Sequence, residues 1–461
     1  MSRVNLAEGK ILKKLLSLVA FTLTAFAGTC AAQAQTSPSP SPAASPAPAP
    51  APAASPAPTA SPSLPPHLIQ FSGFLDAAYS SRVGNSTSKF TDSLATPTGQ
   101  FAAFGVPFPS RVFDYYDQTP VLQNANVQAA LNAGNLTGKL ELSAGSDANI
   151  IQSWPGAFNG FDVTQAYLAY QFGKLSVQGG KFETLAGAEV IESPSNLNIS
   201  RSILFGFAVP FTHTGGRLTY AVTPHLNVIG GVNAGWDEVR STNGRLTAEY
   251  GLAFNPSSAI SLTAQGYTGF EQLANYTNGY NPYSTPGASY PGVISYPACT
   301  AVLGSVCTGA PVDTAPSGAQ GQRSLIDIVG TVHPTSATTL TVNYDHGIQH
   351  DVPGPTFVTD LGSLNASWSG LAGYASYNFN PKLTISGRYE GFQDPQGYRT
   401  GFAGLFWHEA TGTLAYNLTS ALTLRGEYRH DTANKNVFLG TDGSSVTNGN
   451  STVELEGLVK F

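Results

Sequence analysis

The sequence predicts an all-β chain, a transmembrane antiparallel up-and-down β-barrel of about 16 strands, with 14–18 compatible with its weaker segments. Three observations predict it. From Leu68 onward, segments of about ten residues alternate apolar and polar side chains, as a strand with one dry and one wet face requires. Short and long connections between those segments also alternate. The chain then stops on an aromatic, Phe461, at the end of such a segment.

The N-terminus reads as an export signal over residues 1–34. Arg3, Lys10, Lys13 and Lys14 make a basic start, Leu15 to Ala27 an apolar core, and Ala32-Gln33-Ala34 a small-residue cleavage site. The apolar run is shorter than the ~20 residues of a membrane-spanning helix. Cleavage would move the formal charge from −6 to about −9, because four basic residues leave with Glu8. Such an acidic balance argues against nucleic acid as a partner, since phosphate binding needs basic patches.

Residues 35–66 read as a linker. Of the thirty residues 37–66, twelve are Pro and nearly all the rest Ala or Ser. Proline favours the extended polyproline II conformation, so this is a semi-rigid spacer of up to roughly 90 Å. It is a passive tether or a strut that reaches peptidoglycan. It is not a globular plug, which argues against a plugged, energy-coupled receptor.

Residues 67–461 carry the barrel pattern. Tight connections occur at Gly134-Asn135, Gly173-Lys174, 223–225, 255–257, 333–335, 380–382 and 417–420. Gly, Pro and Asn there preset turn dihedrals and end ladders. Long connections cover 81–119, 146–160, 183–207, 237–244, 271–321, 349–364, 394–401 and 432–450. Seven short turns between eight long loops give the even strand number of bacterial single-chain barrels. In such barrels the short turns and both termini face the periplasm and the long loops face outside. Charge is also low, at 11%, and Gly is abundant at 49 residues, as a lipid-facing barrel needs.

The faces indicate a wet interior. Leu383, Ile385 and Tyr389 oppose Arg388 and Glu390, and Leu422, Leu424 and Tyr428 oppose Arg425, Glu427 and Arg429. Leu246, Tyr250, Leu252 and Phe254 oppose Arg245 and Glu249, and Leu140 and Leu142 oppose Lys139 and Glu141. An arginine facing lipid at mid-depth costs ~2–4 kcal/mol, so these charges belong in the lumen. With Arg217 they are the candidate pore-lining residues. A barrel of this size leaves an aqueous channel. The closing strand, Ser451–Phe461, puts Val453, Leu455 and Val459 towards lipid and Glu454 and Glu456 towards the lumen, and should pair with the strand that starts near Leu68. Phe461 is then the assembly signal read by the barrel-assembly machinery.

Gln165 to Asp237 adds a likeness that periodicity does not supply. Gly180-Lys181-Phe182, Gly187, Glu189-Val190-Ile191, Ser200-Arg201-Ser202 and Pro210-Phe211-Thr212-His213-Thr214-Gly215 closely resemble the β-barrel porin-2 family of OmpL-like outer-membrane porins. Phe71 to Tyr79 and Arg111-Val112-Phe113-Asp114 fit its N-terminal pattern. Ala188 departs from it where the family often carries an aromatic. The resemblance implies an integral outer-membrane barrel and passive diffusion of small hydrophilic solutes or ions, without a defined substrate. The alternative is a structural or adhesive barrel whose long loops bind external partners. Homo-oligomerisation stays open on this reading.

The stretch from Glu183 to Phe207 carries Glu183, Glu189, Glu192 and Arg201 among Val190, Ile191, Ile203 and Phe205. So many hydrophobes suit a constriction loop folded inward, with Glu189 and Glu192 opposed to Arg201, Arg217 or other lumen bases. Opposed charges of that kind select polar solutes. The alternative is an external loop packed on its neighbours. The negative charge of the chain leans towards cations, though charges at the constriction would decide.

Cys30 leaves with the signal, and Cys299 and Cys307, close together in one loop, are a candidate loop-closing disulfide outside the cytoplasm. No G-x-S-x-G, H-E-x-x-H, phosphate loop or paired C-x-x-C occurs, so no enzyme activity, catalytic residue or cofactor is read from the sequence. Asp345, His346, His350 and Asp351 have residue types that can hold a metal, but solvated loop side chains are the commoner meaning, and no metal is assigned.

Overall fold

A computed structural model of the chain describes residues 68–461 except 84–110, 115, 117, 154–159, 242–243, 272–301, 304–305, 308–320, 353–363, 401, 403 and 440–445. The signal and linker, residues 1–66, lie outside the described residues, as do Cys299 and the side chain of Cys307.

Sixteen strands close into one antiparallel barrel in chain order. They are β1 (Ile69–Arg82), β2 (Thr119–Ala133), β3 (Leu136–Ala144), β4 (Phe161–Phe172), β5 (Leu175–Glu183), β6 (Thr212–Thr223), β7 (Leu226–Asn233) and β8 (Thr247–Ser257). The second half comprises β9 (Ile260–Phe270), β10 (Gln322–Thr335), β11 (Thr338–Val352), β12 (Leu364–Asn380), β13 (Leu383–Asp394), β14 (Leu405–Asn417), β15 (Leu422–Ala433) and β16 (Gly449–Lys460). The strand number and the up-and-down order are those the turn pattern predicts. The closing pair is β1 with β16, in the register Phe74 opposite Lys460 and Tyr79 opposite Leu455.

All seven tight connections are hairpins. Gly134 and Gly173 take positive φ, 66° and 57°, at the β2–β3 and β4–β5 turns, a conformation glycine adopts without steric cost. At two hairpins the reversal falls later than the proline suggests. Pro256 and Pro334 lie inside the last residues of β8 and β10, where the registers shift between Phe254 and Ser257 and between Val332 and Thr335. A bulge tolerates a residue without an amide hydrogen, so these prolines end the ladder instead of forming the turn.

The outward positions are apolar and exposed. Leu75, Leu140, Leu168, Leu218, Val228, Leu252, Ile385 and Leu455 are examples, and their inward neighbours Asp76, Glu141, Arg217, Arg388 and Glu456 are buried. Water-exposed leucines ringing a closed barrel are stable only against lipid, which places the barrel in a membrane.

The interior is not uniformly wet. The loop between β5 and β6, residues 184–211, folds inward and brings Ile191, Ile203, Leu204, Phe205, Val209 and Phe211 into a buried apolar cluster with Trp368, Phe392 and Trp407 of the wall. Two short helices accompany it, α1 (Ser146–Ile151) after β3 and α2 (Ile203–Phe207) within the loop itself. Gly370 of β12 makes room for α2, since a Cβ there would stand 2.6 Å from Leu204 Cδ1.

Candidate constriction site

The β5–β6 loop is held by its main chain. α2 starts at Ser202, whose Oγ accepts from Phe205 N at 3.0 Å. The next free amides of its first turn, Ile203 N and Leu204 N, donate to the Glu390 carboxylate at 2.5 and 3.0 Å. A carboxylate at a helix start satisfies amides that have no partner within the helix. Glu427 does the same one turn earlier in the loop, accepting from Ile199 N at 2.6 Å, Ser200 N at 3.1 Å and Ser200 Oγ. Glu189 accepts from Ser202 N at 2.6 Å.

Arginines of the wall take the loop carbonyls. Arg388 donates to Ser200 O at 2.7 Å, Arg425 to Asn196 O at 2.9 Å and Arg429 to Arg201 O at 2.8 Å. Each also pairs with acids: Arg388 with Glu189 at 2.7 Å and Glu409 at 2.5 Å, Arg425 with Glu456, and Arg429 with Asp431 at 2.7 Å. Five candidate pore-lining residues, Arg388, Glu390, Arg425, Glu427 and Arg429, therefore face the barrel interior but are at most 5% exposed. The loop covers them.

Glu189 meets Arg388 directly, where opposition across a gap was expected. Arg201 faces no acid in ion-pair contact among the described residues. Its guanidinium donates to Val190 O, Ile199 O and Ile191 O at 3.1, 3.0 and 2.5 Å and braces the loop from within. Arg217 pairs with Glu249 at 2.8 Å and lies 4.2 Å over the Phe182 ring. Arg245 departs from expectation altogether. It precedes β8, is exposed, and its guanidinium lies 4.3 Å over the ring of outward-facing Phe270. A residue beyond the strand end is free of the alternation that placed it in the lumen.

The wall around β3 is more open. Lys139 of β3 reaches Glu141 at 2.6 Å and Glu192 of the loop at 3.2 Å, and the Lys139 and Glu192 side chains remain 21% and 14% exposed. Gln165 donates to Glu141 at 2.9 Å and to Glu183 at 3.0 Å. Ligand oxygens of Glu141, Glu183 and Glu192 lie within 4.8 Å of one another. Lys139 already supplies a cation to two of the three, so the group is a partly compensated patch with excess negative charge.

Sequence reasoning missed the buried aromatic side of the interior and the role of Asp237. Asp237 Oδ1 accepts from Phe211 N and Thr212 N, both at 2.8 Å, and fixes where the loop re-enters β6. Burial pushes its carboxyl up to about 6, and burial likewise raises Asp114 to about 6. The Asp345, His346 and His350 group does not converge. Asp345 is buried beside its cross-strand neighbour Asp327, whereas half-buried His350 bonds Asn365 at 3.0 Å and His346 points to the other face of β11; the side chain of Asp351 lies outside the described residues.

A family profile described as "Putative beta-barrel porin-2, OmpL-like" matches residues 68–461. Among solved structures, a loop-deletion mutant of OmpT, an outer membrane protein of Vibrio cholerae, is 12% identical at a TM-score of 0.51, with 85% of this chain and 99% of that chain covered. In-vitro folded OmpT of Vibrio cholerae is 11% identical at 0.50, covering 85% and 97%. The trimer form of that OmpT is 11% identical at 0.50, covering 85% and 99%. At these identities the likeness shows a shared barrel fold. No curated protein matches the chain.

Proposed function

Because the chain belongs to the beta-barrel porin-2, OmpL-like, family, its barrel is a porin channel of the outer membrane, and we propose that small hydrophilic solutes and ions cross it by passive diffusion without chemistry. The observation that carries this reading is the closed sixteen-strand ladder with an apolar exterior and a charged interior. The path we assign runs beside the loop, past Lys139, Glu141, Glu183 and Glu192, because that side keeps charged groups partly exposed. Arg388, Glu390, Arg425, Glu427 and Arg429 hold the loop in place. Excess carboxylate on the path favours cations.

The long loops then face outside and both termini the periplasm, with outer-membrane lipid around the barrel and the assembly machinery reading Phe461. A homo-oligomer and a peptidoglycan contact through residues 35–66 fit the same orientation. The second reading, a structural or adhesive barrel with little conductance, draws support from the apolar packing of Leu204, Phe207, Trp368 and Trp407 in the interior. Planar-bilayer recording of refolded protein separates the two. Steady channels with cation preference support the porin; folded, heat-modifiable protein that leaves bilayers silent supports the structural barrel and removes the diffusion reading.

A further inference from the structure

β10 and β11 carry two inward carboxylates at one level of the barrel. Asp327 and Asp345 stand directly opposite each other in the antiparallel register, and neither is exposed. Facing residues on neighbouring strands hold their Cβ atoms about 4.5–5.5 Å apart, which brings two aspartate head groups within hydrogen-bonding reach of each other. The surroundings are dry. Gly370 of β12, opposite Asp345, offers no side chain, and Leu204 of α2 fills that space. Glu390 of β13 adds a further acidic group nearby.

Among the described residues no lysine, arginine or histidine pairs with either acid. The inward arginines of β10 and β13 are engaged elsewhere, Arg323 with Gln349 and Tyr398 and Arg388 with Glu189 and Glu409. Asp327 Oδ2 accepts from Asn343 Nδ2 at 2.6 Å, and the Gly187 amide of the loop also faces Asp327. Asp327 Oδ1 and both carboxyl oxygens of Asp345 are buried with no hydrogen-bond partner. Gln265 of β9, opposite Asp327, leans the other way: its Nε2 donates to Glu249 at 2.9 Å and its Oε1 lies over Gly251. Three acceptor atoms on two facing groups therefore lack a donor.

We propose that Asp327 and Asp345 share one proton and that this acid pair positions the constriction loop. A proton between the carboxylates removes one of two buried charges and supplies the donor that their oxygens lack. Asp345 carries it and donates to Asp327, because Asp327 already accepts from Asn343. Asn343 in turn accepts from Ala188 N of the loop, at its Oδ1 and 3.1 Å. Asp345 acts on the loop through Asp327 and Asn343 and is thus a positioning residue. A divalent ion fits the gap less well. Ca2+ takes about six to eight oxygens, whereas Asn343 turns its amide nitrogen to Asp327 and Gln265 points away.

The test uses the full-length chain refolded in detergent at neutral pH. Its infrared spectrum should contain a carbonyl band of a protonated carboxyl group that Asp345→Asn removes. The asparagine amide still donates to Asp327, so exchange of the Ala188 amide in that variant should match the wild type. In Asp345→Ala, which leaves Asp327 without the donor, exchange should run at least roughly tenfold faster. Identical carboxyl bands in wild type and Asp345→Asn overturn the proposal, and so does wild-type exchange in Asp345→Ala. The wild type alone supplies a third check, which stands if a variant does not refold. Its Ala188 exchange should be equal in chelator and in CaCl2, and a difference would put a metal ion between the carboxylates and overturn the shared proton. These readouts do not depend on permeation, so the diffusion reading stands or falls separately.

Discussion

Phe461 is paired with Gly73. Phe461 N donates to Gly73 O at 3.1 Å, Gly73 N to Phe461 O at 3.0 Å, and the aromatic ring occupies the space a side chain on residue 73 would need. A Cβ at position 73 would stand 2.7 Å from Phe461 Cζ. The last residue is thus the final rung of the β1–β16 closure, with its ring 65% exposed on the lipid side. Deleting Phe461, or Gly73→Val, should lower the fraction of chain reaching the outer membrane in heat-modifiable form. Channels that do form should conduct normally. Normal insertion of the truncated chain would remove the signal role.

Arg388 binds Glu189, Glu409 and Ser200 O in a fully buried setting. Arg388→Ala leaves buried Glu189 without its ion-pair partner and Glu409 with only the longer Arg429 contact at 3.6 Å, so a loss of about 3–5 kcal/mol is expected. Urea unfolding should speed up accordingly. Single-channel records should become noisier and larger as the loop loosens, and unchanged traces would show that the loop is held by other contacts.

Lys139 and Glu192 carry opposite charges on the assigned path, and the predictions are of opposite sign. Glu192→Gln should lower the cation-to-anion permeability ratio measured by reversal potential in a salt gradient. Lys139→Gln should raise it. A shift in the same direction for both would place the path elsewhere.

Asp237 gives the pH dependence a sign. Its folded pKa, about 6, lies above that of a free aspartate, so the native state holds the proton more tightly than the unfolded chain. Stability from this group is fully present below the ordinary aspartate range and is lost as pH rises through about 4–6. Acidifying from pH 7 to 5 should therefore slow amide exchange at Phe211 and Thr212, after correction for intrinsic rates, and Asp237→Asn should flatten that dependence. Faster corrected exchange at pH 5 in the wild type would reverse the assignment.

Much of the fold was legible because a barrel strand repeats one physical requirement. Leu383 to Glu390 and Leu422 to Arg429 could be assigned to faces by alternation alone, and Gly134 and Gly173 to turns by backbone conformation. The hydrophobes Val190, Ile191, Ile203 and Phe205 also announced that their loop is drawn inward. What alternation does not encode is the occupant of the interior. An inward arginine reads the same whether it meets water or a carbonyl, so Arg388 and Arg425 were expected beside the solute path and lie under the loop. Trp368 and Trp407 were equally silent, since their partners, Ala208 O and Phe207, lie far away in sequence. Prolines 256 and 334 marked the right connections but shifted them, because a bulge and a turn both accept proline.

The wall grips the β5–β6 loop mainly by peptide groups. Glu390 and Glu427 read amides that every residue but proline offers, and Arg388, Arg425 and Arg429 read carbonyls that every residue offers. The loop can therefore change many of its side chains and stay moored, whereas a single change at Glu390, Glu427 or Arg425 unties two or more peptide groups at once. Divergence between related chains should accumulate on the loop and be resisted in the wall. A channel built this way can retune what it admits by editing one short segment, with its barrel left intact.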